Sequence, residues 1–543
     1  MTAEQSHASE QIARDDAHLR SLGIRPELNR TLGFISNFAV AFSYISVATG
    51  SFTQQAVAIG VGGPPFIWGW FIVIIGQSFV ALNFAELASH FPVAGSIYQW
   101  SKRLSNKTLG WFTGWFYFWA GVLTVTAVAA TVPYVMSSLW SIDLYAPSPI
   151  AFLNMWSFLS IIALLVSTLI NSFGVRLLTF LNNIGVAAEI LGMIVFALVL
   201  LIFANHQPIS VIFDTSYTEN LSPGGYFPYV FLVGMFLALF VVYGFDTAGT
   251  FGEETVEAHK QAPRGILAAI WLSGIAGFLF LLGVILSFRD ISAAVAEGQA
   301  FGYPFATTIK ENLTASLGGI TLGDLYLFVI LIAVSVCTLA IHGATTRLMF
   351  SMGRDGRLPF GSTWGHVNKA FKTPTNAAIG VGVLAMLPLL VTGALAAFYL
   401  AIAATGTIYI SYFMCNWGVL RARRAGWPHQ GAWFKLGSWG TTLNILALIY
   451  GGLMIVNIGI WESPIFGDFG NELRSIWSNP PINAIIQWNG ETLSDLPAIP
   501  VFEFFVGAVL LFGLLYYFLS GQRGKEDTAT LPVDPHTGES VIA

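Results

Sequence analysis

Charge is what this chain has least of. Lys, Arg, Asp and Glu make up 10% of its 543 residues, against about 25% in a soluble globular protein. So few charges cannot cover a water-facing surface of that size, which excludes a soluble architecture. Cysteine is almost as scarce. Cys337 and Cys415 both lie in apolar runs, and they make neither a disulfide framework nor a cysteine metal centre. Signatures of catalysis are missing too: there is no Walker loop, no zinc-protease helix and no nucleophile elbow. The run GVGVLA at Gly380–Ala385 fits a dinucleotide fingerprint loosely, but it sits inside an apolar segment with no strand before it. An enzyme is therefore not expected, and neither is a cofactor, a metal or a nucleic-acid partner.

What is abundant is apolar surface, at 55% of residues. Twelve apolar segments can be read, over about 32–60, 66–88, 110–139, 151–172, 181–203, 226–251, 265–288, 323–350, 375–393, 396–418, 438–460 and 500–520. Each approaches the length of a tilted membrane-spanning helix. An all-α integral membrane protein with twelve spans follows. An even count puts both termini on one side. With the N-terminus inside, only Arg289, Lys310 and Arg474 among the 24 Lys and Arg fall in outer loops, as the positive-inside rule requires. The expected setting is the plasma (inner) membrane, with both termini cytoplasmic. The first apolar run continues into a second span, so no cleavable signal peptide is read. The tails before Asn29 and after Gly524 read as disordered, and the loop 461–499, rich in Trp, Pro and Asn, reads as an outer cap.

A carboxylate lies deep in the sixth segment. Asp246 stands in Gly244-Phe245-Asp246-Thr247-Ala248-Gly249, and a charged Asp at mid-membrane costs about 2.5–3.5 kcal/mol on insertion scales. Two nearby glycines weaken the helix at the same place. The first segment carries a matching weak point, Ser46-Val47-Ala48-Thr49-Gly50-Ser51. These two breaks head successive groups of five spans, and because five is odd the second group is inverted. Interrupted segments at corresponding positions of two halves point to a solute site at mid-membrane. The organisation read from this is a tail at 1–31, a first repeat at 32–203, an outer loop at 204–225 and a second inverted repeat at 226–418. Two further spans follow at 419–520, then a tail at 521–543. With no nucleotide site, such a carrier draws on an ion gradient or on exchange.

Four stretches carry a likeness to a known family: FSYISVATGSF at Phe42–Phe52, NFAELASHFPVAGSIYQW at Asn83–Trp100, YGFDTAGTFGEET at Tyr243–Thr255 followed by APRGI, and SMGRDGRLPF at Ser351–Phe360. With matching span spacing, they make residues 30–460 resemble the amino acid–polyamine–organocation permeases, within them the amino acid/choline transporter branch that includes GABA and choline permeases. The resemblance implies a secondary transporter with a five-plus-five inverted repeat, the LeuT-like arrangement, plus two C-terminal helices. It implies substrate contact at the unwound first and sixth helices. Ala48, Thr49 and Gly50 match the triplet whose amides face a substrate carboxylate, although many relatives have Gly-Ser-Gly there. Phe240 matches an aromatic gate, and Asp246 an acidic position tied to gating and proton coupling.

The residues themselves support a site for a small amine-bearing solute. A helix that restarts at Thr49 offers free amides and a positive dipole end to an anion, and the fragment before it offers carbonyls to an ammonium. Ser46, Tyr243, Gly244 and Phe245 complete the candidate contacts, with Tyr44 as a further aromatic wall. Glu189, with Asn182 and Gly185 on the same face of the fifth span, reads as a cation site or proton carrier. Glu86, Glu253 and Glu254 close two spans near arginines, with Arg347 as a natural partner, and read as gating ion pairs. Ser335 and Thr338 are the candidate sodium hydroxyls if the coupling ion is not a proton. His342 reads as a packing residue. The leading reading is a proton-coupled importer of an amino acid such as GABA, with choline, ethanolamine or a polyamine as the alternative solutes. A channel or solute sensor on the same scaffold is the reading of a different class.

Overall fold

The computed structural model describes residues 3–150, 152–391, 396–428, 432–459 and 501–524. The loop expected at 461–499, the division expected between the ninth and tenth spans at 392–393, and the tail after Gly524 lie outside these residues.

The chain is helical nearly throughout. An N-terminal helix α1 (Ala3–Ser21) precedes α2 (Phe34–Ile45) and α3 (Val47–Gly60), which are two halves of one interrupted rod. There follow α4 (Ile67–His90), α5 (Ser96–Leu104), α6 (Lys107–Ala129), α7 (Val132–Trp140), α8 (Met155–Ser172) and α9 (Val175–Phe203). The sixth apolar segment is in pieces, α10 (Phe231–Gly234), α11 (Phe236–Val241) and α12 (Thr247–Thr250), with non-helical backbone between the last two. Then come α13 (Ala258–Ser287), α14 (Ile291–Gln299), α15 (Pro304–Asn312), α16 (Leu322–Arg354), α17 (Gly361–Trp364), α18 (Thr375–Val391), α19 (Ala396–Arg424), α20 (Gly440–Gly459) and α21 (Val501–Leu519). A two-stranded hairpin, Ser316–Leu317 with Ile320–Thr321, precedes α16. Among the described residues nine helical stretches are long and apolar enough to cross a membrane, and Tyr226–Val241 and Thr375–Leu390 are shorter apolar pieces. The helix α19 adds 29 residues and runs six beyond the boundary expected at 418, ending in Arg421, Arg423 and Arg424.

Side-chain sorting on α9 is that of a membrane bundle. Ile184, Leu191, Val195, Leu198 and Ile202 face outward, while Asn182, Gly185, Glu189 and Gly192 are buried. In lipid the outer face is the apolar one, and polar groups must find partners inside. Small residues bring the helices together. A Cβ on Gly185 would stand 2.5 Å from Val336 of α16, and one on Gly192 would stand 2.7 Å from Val329.

Acid–base pairs gather at one end of the bundle. Glu254 bonds Arg347 at 2.5 and 3.0 Å. Glu253 bonds Arg354 at 2.9 and 3.0 Å, Lys102 bonds Asp355 at 2.5 Å, and Glu86 pairs with Arg423. These side chains are buried, and bidentate arginine–carboxylate geometry is the arrangement that repays desolvation. The partners refine the expectation: Arg347 serves Glu254, while Glu86 takes its arginine from α19.

The N-terminal segment corrects the expectation of a disordered tail. Beyond forming α1, it packs Leu19, Leu22 and Ile24 on Val93 in a small separate core. Asp15 accepts from the Glu257 amide at 2.8 Å. Arg30 donates to the carbonyls of Thr255 (2.6 Å) and Gly252 (3.3 Å), and the Thr31 and Leu32 amides both donate to the Glu254 carbonyl at 2.9 Å. Three buried apolar side chains offset the ordering of a short segment. Composition alone misses this because the apolar positions fall only in the last turn of a polar helix and just after it.

Candidate functional site

The first break is at Ser46. Its backbone takes φ 29° and ψ 85°, a positive-φ conformation that costs a non-glycine residue and stops α2 one residue before α3 begins. Three polar groups fix it. The Glu189 carboxylate accepts from the Ser46 hydroxyl at 2.8 Å and from the Ala48 amide at 3.3 Å. The Ser46 hydroxyl lies 2.6 Å from that of Thr49 and accepts from the Thr49 amide at 3.4 Å. On the other side, the Cys337 thiol of α16 donates to the Tyr44 carbonyl at 3.6 Å. The free amides and positive end of α3 thus face a carboxylate of the chain itself.

The second break runs from Val242 to Asp246. Gly244 is at φ +86°, and a Cβ there would stand 1.9 Å from the Tyr44 ring, so both its conformation and its closeness to the first break require glycine. Gly50 makes the reciprocal approach: its Cβ would meet the Val241 side chain at 2.3 Å. The two interruptions are therefore pressed together.

The carboxylate of Asp246 is fully buried and takes hydroxyls from three helices. Tyr412 of α19 donates to Oδ1 at 2.5 Å. Ser96 of α5 donates to Oδ2 at 3.0 Å, and Tyr117 of α6 also donates to Oδ2. The Tyr412 oxygen in turn accepts from the Gly244 amide at 2.8 Å. Asp246 is thus a clasp that ties the broken sixth segment to α5, α6 and α19. Charge-assisted bonds of this kind contribute about 1.5–3 kcal/mol each.

Aromatic rings form the wall between the breaks. Tyr44 and Tyr243 meet edge to face with centroids 6.1 Å apart, and Phe240 meets Tyr243 the same way at 5.9 Å. The Tyr243 hydroxyl lies 3.3 Å from that of Thr124 on α6. Phe245 turns away from this wall and packs against Phe84 and Tyr412.

Of the residues singled out in the sequence, the structure brings Ser46, Ala48, Thr49 and Glu189 together at one break, and Phe240, Tyr243, Gly244 and Asp246 together at the other, with Gly50 between them. Glu86, Glu254 and Arg347 lie at the paired end. Ser335 is a correction. It is exposed on the outside of the bundle and donates back to the Leu331 carbonyl at 2.8 Å, because the turn of α16 that buries Cys337 points residue 335 outward. Thr338 is buried, but its hydroxyl donates to the Val334 carbonyl at 2.9 Å. His342 bridges Ser167 of α8 (3.0 Å) and the Ala378 carbonyl of α18 (2.9 Å), away from both breaks. Tyr117, Tyr412, Ser96 and Thr124 also join the site, and sequence pattern gives them no distinct signal. The only trace of the first two is a tyrosine among Phe and Trp, in GWFYFWAG and ISYFMCNW.

Comparison with known proteins places the chain in a family. A family model described as "Amino acid permease" matches residues 32–486. "Amino-acid permease BAT1" of Arabidopsis thaliana is 27% identical over 456 residues, covering 80% of this chain and 86% of the relative. "Amino-acid permease BAT1 homolog" of Oryza sativa subsp. japonica is 30% identical over 453 residues, covering 80% and 85%. "Putative polyamine transporter" of Candida albicans is 25% identical over 464 residues, covering 82% and 81%. A multi-pass membrane bundle with two facing helix breaks and a match over most of its length is a member of a known group: the chain belongs to the amino acid permease family.

Proposed function

We propose that this permease imports a small amine-bearing solute, an amino acid such as GABA, together with a proton and by alternating access. The observation that carries the reading is the Glu189 carboxylate at the first break, bonded to Ser46 and Ala48. A titratable group placed there feels whatever binds at the breaks. An ammonium close by favours its charged form. Solute binding and protonation are then linked reciprocally. Phe240 and Tyr243 close over the solute as an aromatic gate, the Asp246 clasp holds the second break, and the Glu254–Arg347 pair holds the paired end shut.

The twelve-span, five-plus-five reading fits the two interrupted segments facing each other, and the arginine-rich end is then the cytoplasmic side of the plasma membrane. A proton suits the site better than sodium, because Ser335 faces outward and Thr338 bonds its own helix. A polyamine is the second reading. It is favoured by two buried carboxylates at the breaks and by the polyamine transporter among the relatives.

The test is uptake into proteoliposomes over a range of pH, with an imposed proton gradient. Glu189→Gln is expected to flatten the pH dependence and abolish accumulation against a gradient while counterflow exchange persists. A Gln variant that accumulates solute as well as the wild type does would end the proton reading.

A further inference from the structure

Three buried polar groups along one seam of the bundle have no hydrogen-bond partner among the described residues. Both amide atoms of Asn182, the Asn171 Oδ1 and the Tyr326 hydroxyl are unpartnered. Asn182 and Tyr326 are 0% exposed and Asn171 is 4% exposed. Each unmade bond of this kind costs about 1–3 kcal/mol, and buried polar groups in native proteins are met by protein or by ordered water. Asn182 alone has two donor hydrogens and an acceptor to satisfy. A buried water makes about two to four hydrogen bonds, which is the number these unpartnered atoms call for.

The seam has a direction. It lies between α9 and α16. Contacts bracket Asn182 on both sides: the missing Gly185 Cβ faces Val336 at 2.5 Å, and Leu178 reaches within 3.1 Å of where a Gly343 Cβ would stand. Seven residues beyond Asn182, about two helical turns along the same face, is Glu189. Tyr326, near the other end of α16, stacks on Phe196 of α9 with ring centroids 4.1 Å apart. In the opposite direction, Asn171 of α8 donates to the Leu339 carbonyl at 3.2 Å. Its unpartnered oxygen lies 2.9 Å from the Gly343 Cβ position, and Arg347 Nη1 lies 3.3 Å from the same point. Arg347 is the partner of Glu254. Polar groups thus follow one another from the first break to the paired end: Glu189, Asn182, Asn171, Arg347 with Glu254.

We propose that Asn182 holds a file of water along which the coupling proton leaves Glu189 toward the Glu254–Arg347 pair. The inference rests on Glu189 being the coupling carboxylate. The step balances simply: the Glu189 carboxyl gives its proton to the nearest water of the file, each water, those held by Asn182 included, passes a proton to the next, and the last delivers it to the aqueous side, leaving Glu189 as a carboxylate. Asn182 is a positioning residue in this scheme. It orients water and is never itself protonated. The route leaves the first break on its α9–α16 side, away from Phe240 and Tyr243 at the second.

The experiment compares Asn182→Leu and Asn182→Ser in proteoliposomes, measuring proton uptake with an entrapped pH dye beside counterflow exchange of labelled solute. Leucine fills the space with apolar atoms and expels water. Serine is smaller, and leaves room for water and a hydroxyl to hold it. Solute-coupled proton uptake is expected to fall at least about tenfold in the leucine variant, less than the roughly hundredfold that losing a proton-transfer group itself costs, because Asn182 only positions the water. It should stay within about threefold of wild type in the serine variant. Exchange, which needs no net proton movement, should change little in either. A purely structural Asn182 gives the reverse order, because leucine packs the seam better and serine leaves a cavity. Leucine proton uptake equal to wild type, or leucine and serine equally impaired with exchange lost in step, would overturn the proposal. Glu189→Gln measured alongside separates the two levels. If it keeps coupled proton uptake, the coupling reading fails. If it loses uptake while Asn182→Leu keeps it, only the water route fails.

Discussion

Replacing Asp246 with asparagine probes the clasp at the second break. The carboxylate accepts three hydroxyls: Tyr412 on Oδ1, and Ser96 and Tyr117 on Oδ2. An amide has one acceptor oxygen. Turned toward Ser96 and Tyr117, it leaves its NH2 facing Tyr412, whose oxygen already accepts from the Gly244 amide at 2.8 Å. The Tyr412 proton then has no acceptor. One charge-assisted bond is lost and a buried donor is left over, a cost of about 1.5–3 kcal/mol, partly offset because no charge need be buried. The bundle should therefore fold and express. The clasp, however, holds the broken segment to α5, α6 and α19 in this conformation, and the proposed alternating access requires it to be remade in each transport cycle. A loss of that size shifts a two-state equilibrium by about tenfold to a hundredfold, and initial uptake in proteoliposomes is expected to fall at least about tenfold. Tyr412→Phe removes the same bond from the other side. If one bond is responsible, the double variant should be hardly worse than the poorer single one, with a coupling of about 1.5–3 kcal/mol in a double-mutant cycle. Additive losses, or wild-type uptake with an unchanged pH profile in Asp246→Asn, would refute the clasp.

Two further outcomes follow from the same geometry. Phe240→Ala should weaken solute binding, read as a smaller ligand-induced thermal shift, with modest loss of stability. Phe245→Ala, which empties a packed space beside Phe84 and Tyr412, should cost about 3–5 kcal/mol of stability; equal solute affinities in the two variants would count against the gate. The docking of α1 should depend on pH through His18, whose imidazole is held below its ordinary value of 6.5 by burial first and then by His259 and Arg30, against the opposing pull of the His90 carbonyl and Asp15. A lowered value means that the docked state prefers neutral histidine, so docking is at full strength above pH 6.5 and weakens as pH falls through that value. Hydrogen exchange of residues 10–24 should accelerate on acidification and lose that dependence in His18→Gln; exchange that slows as pH falls, after correction for intrinsic rates, would contradict the sign.

The sequence by itself determined that the chain is a membrane bundle, because scarce charge and long apolar runs leave no other solvent for it. It also located both interruptions, because Gly244, Asp246 and the Ser46–Ser51 run are local violations of helix and membrane rules, readable without knowing any neighbour. Glu189 could be read as inward-facing from its spacing to Asn182 and Gly185 alone. What it bonds to could not. Its partners Ser46 and Ala48 are more than a hundred residues away, and only packing of α9 beside α2 and α3 joins them. The same holds for Asp246. The acid was legible in the sequence, but the hydroxyls of Ser96, Tyr117 and Tyr412 come from three other helices and leave no periodic signal in an aromatic-rich chain. The pairing of Glu86 with Arg423 rather than Arg347, the outward turn of Ser335 and the docking of α1 were likewise decided by tertiary structure. In each case a buried or polar group was satisfied by whatever stood nearest in space, and distance along the chain does not encode that.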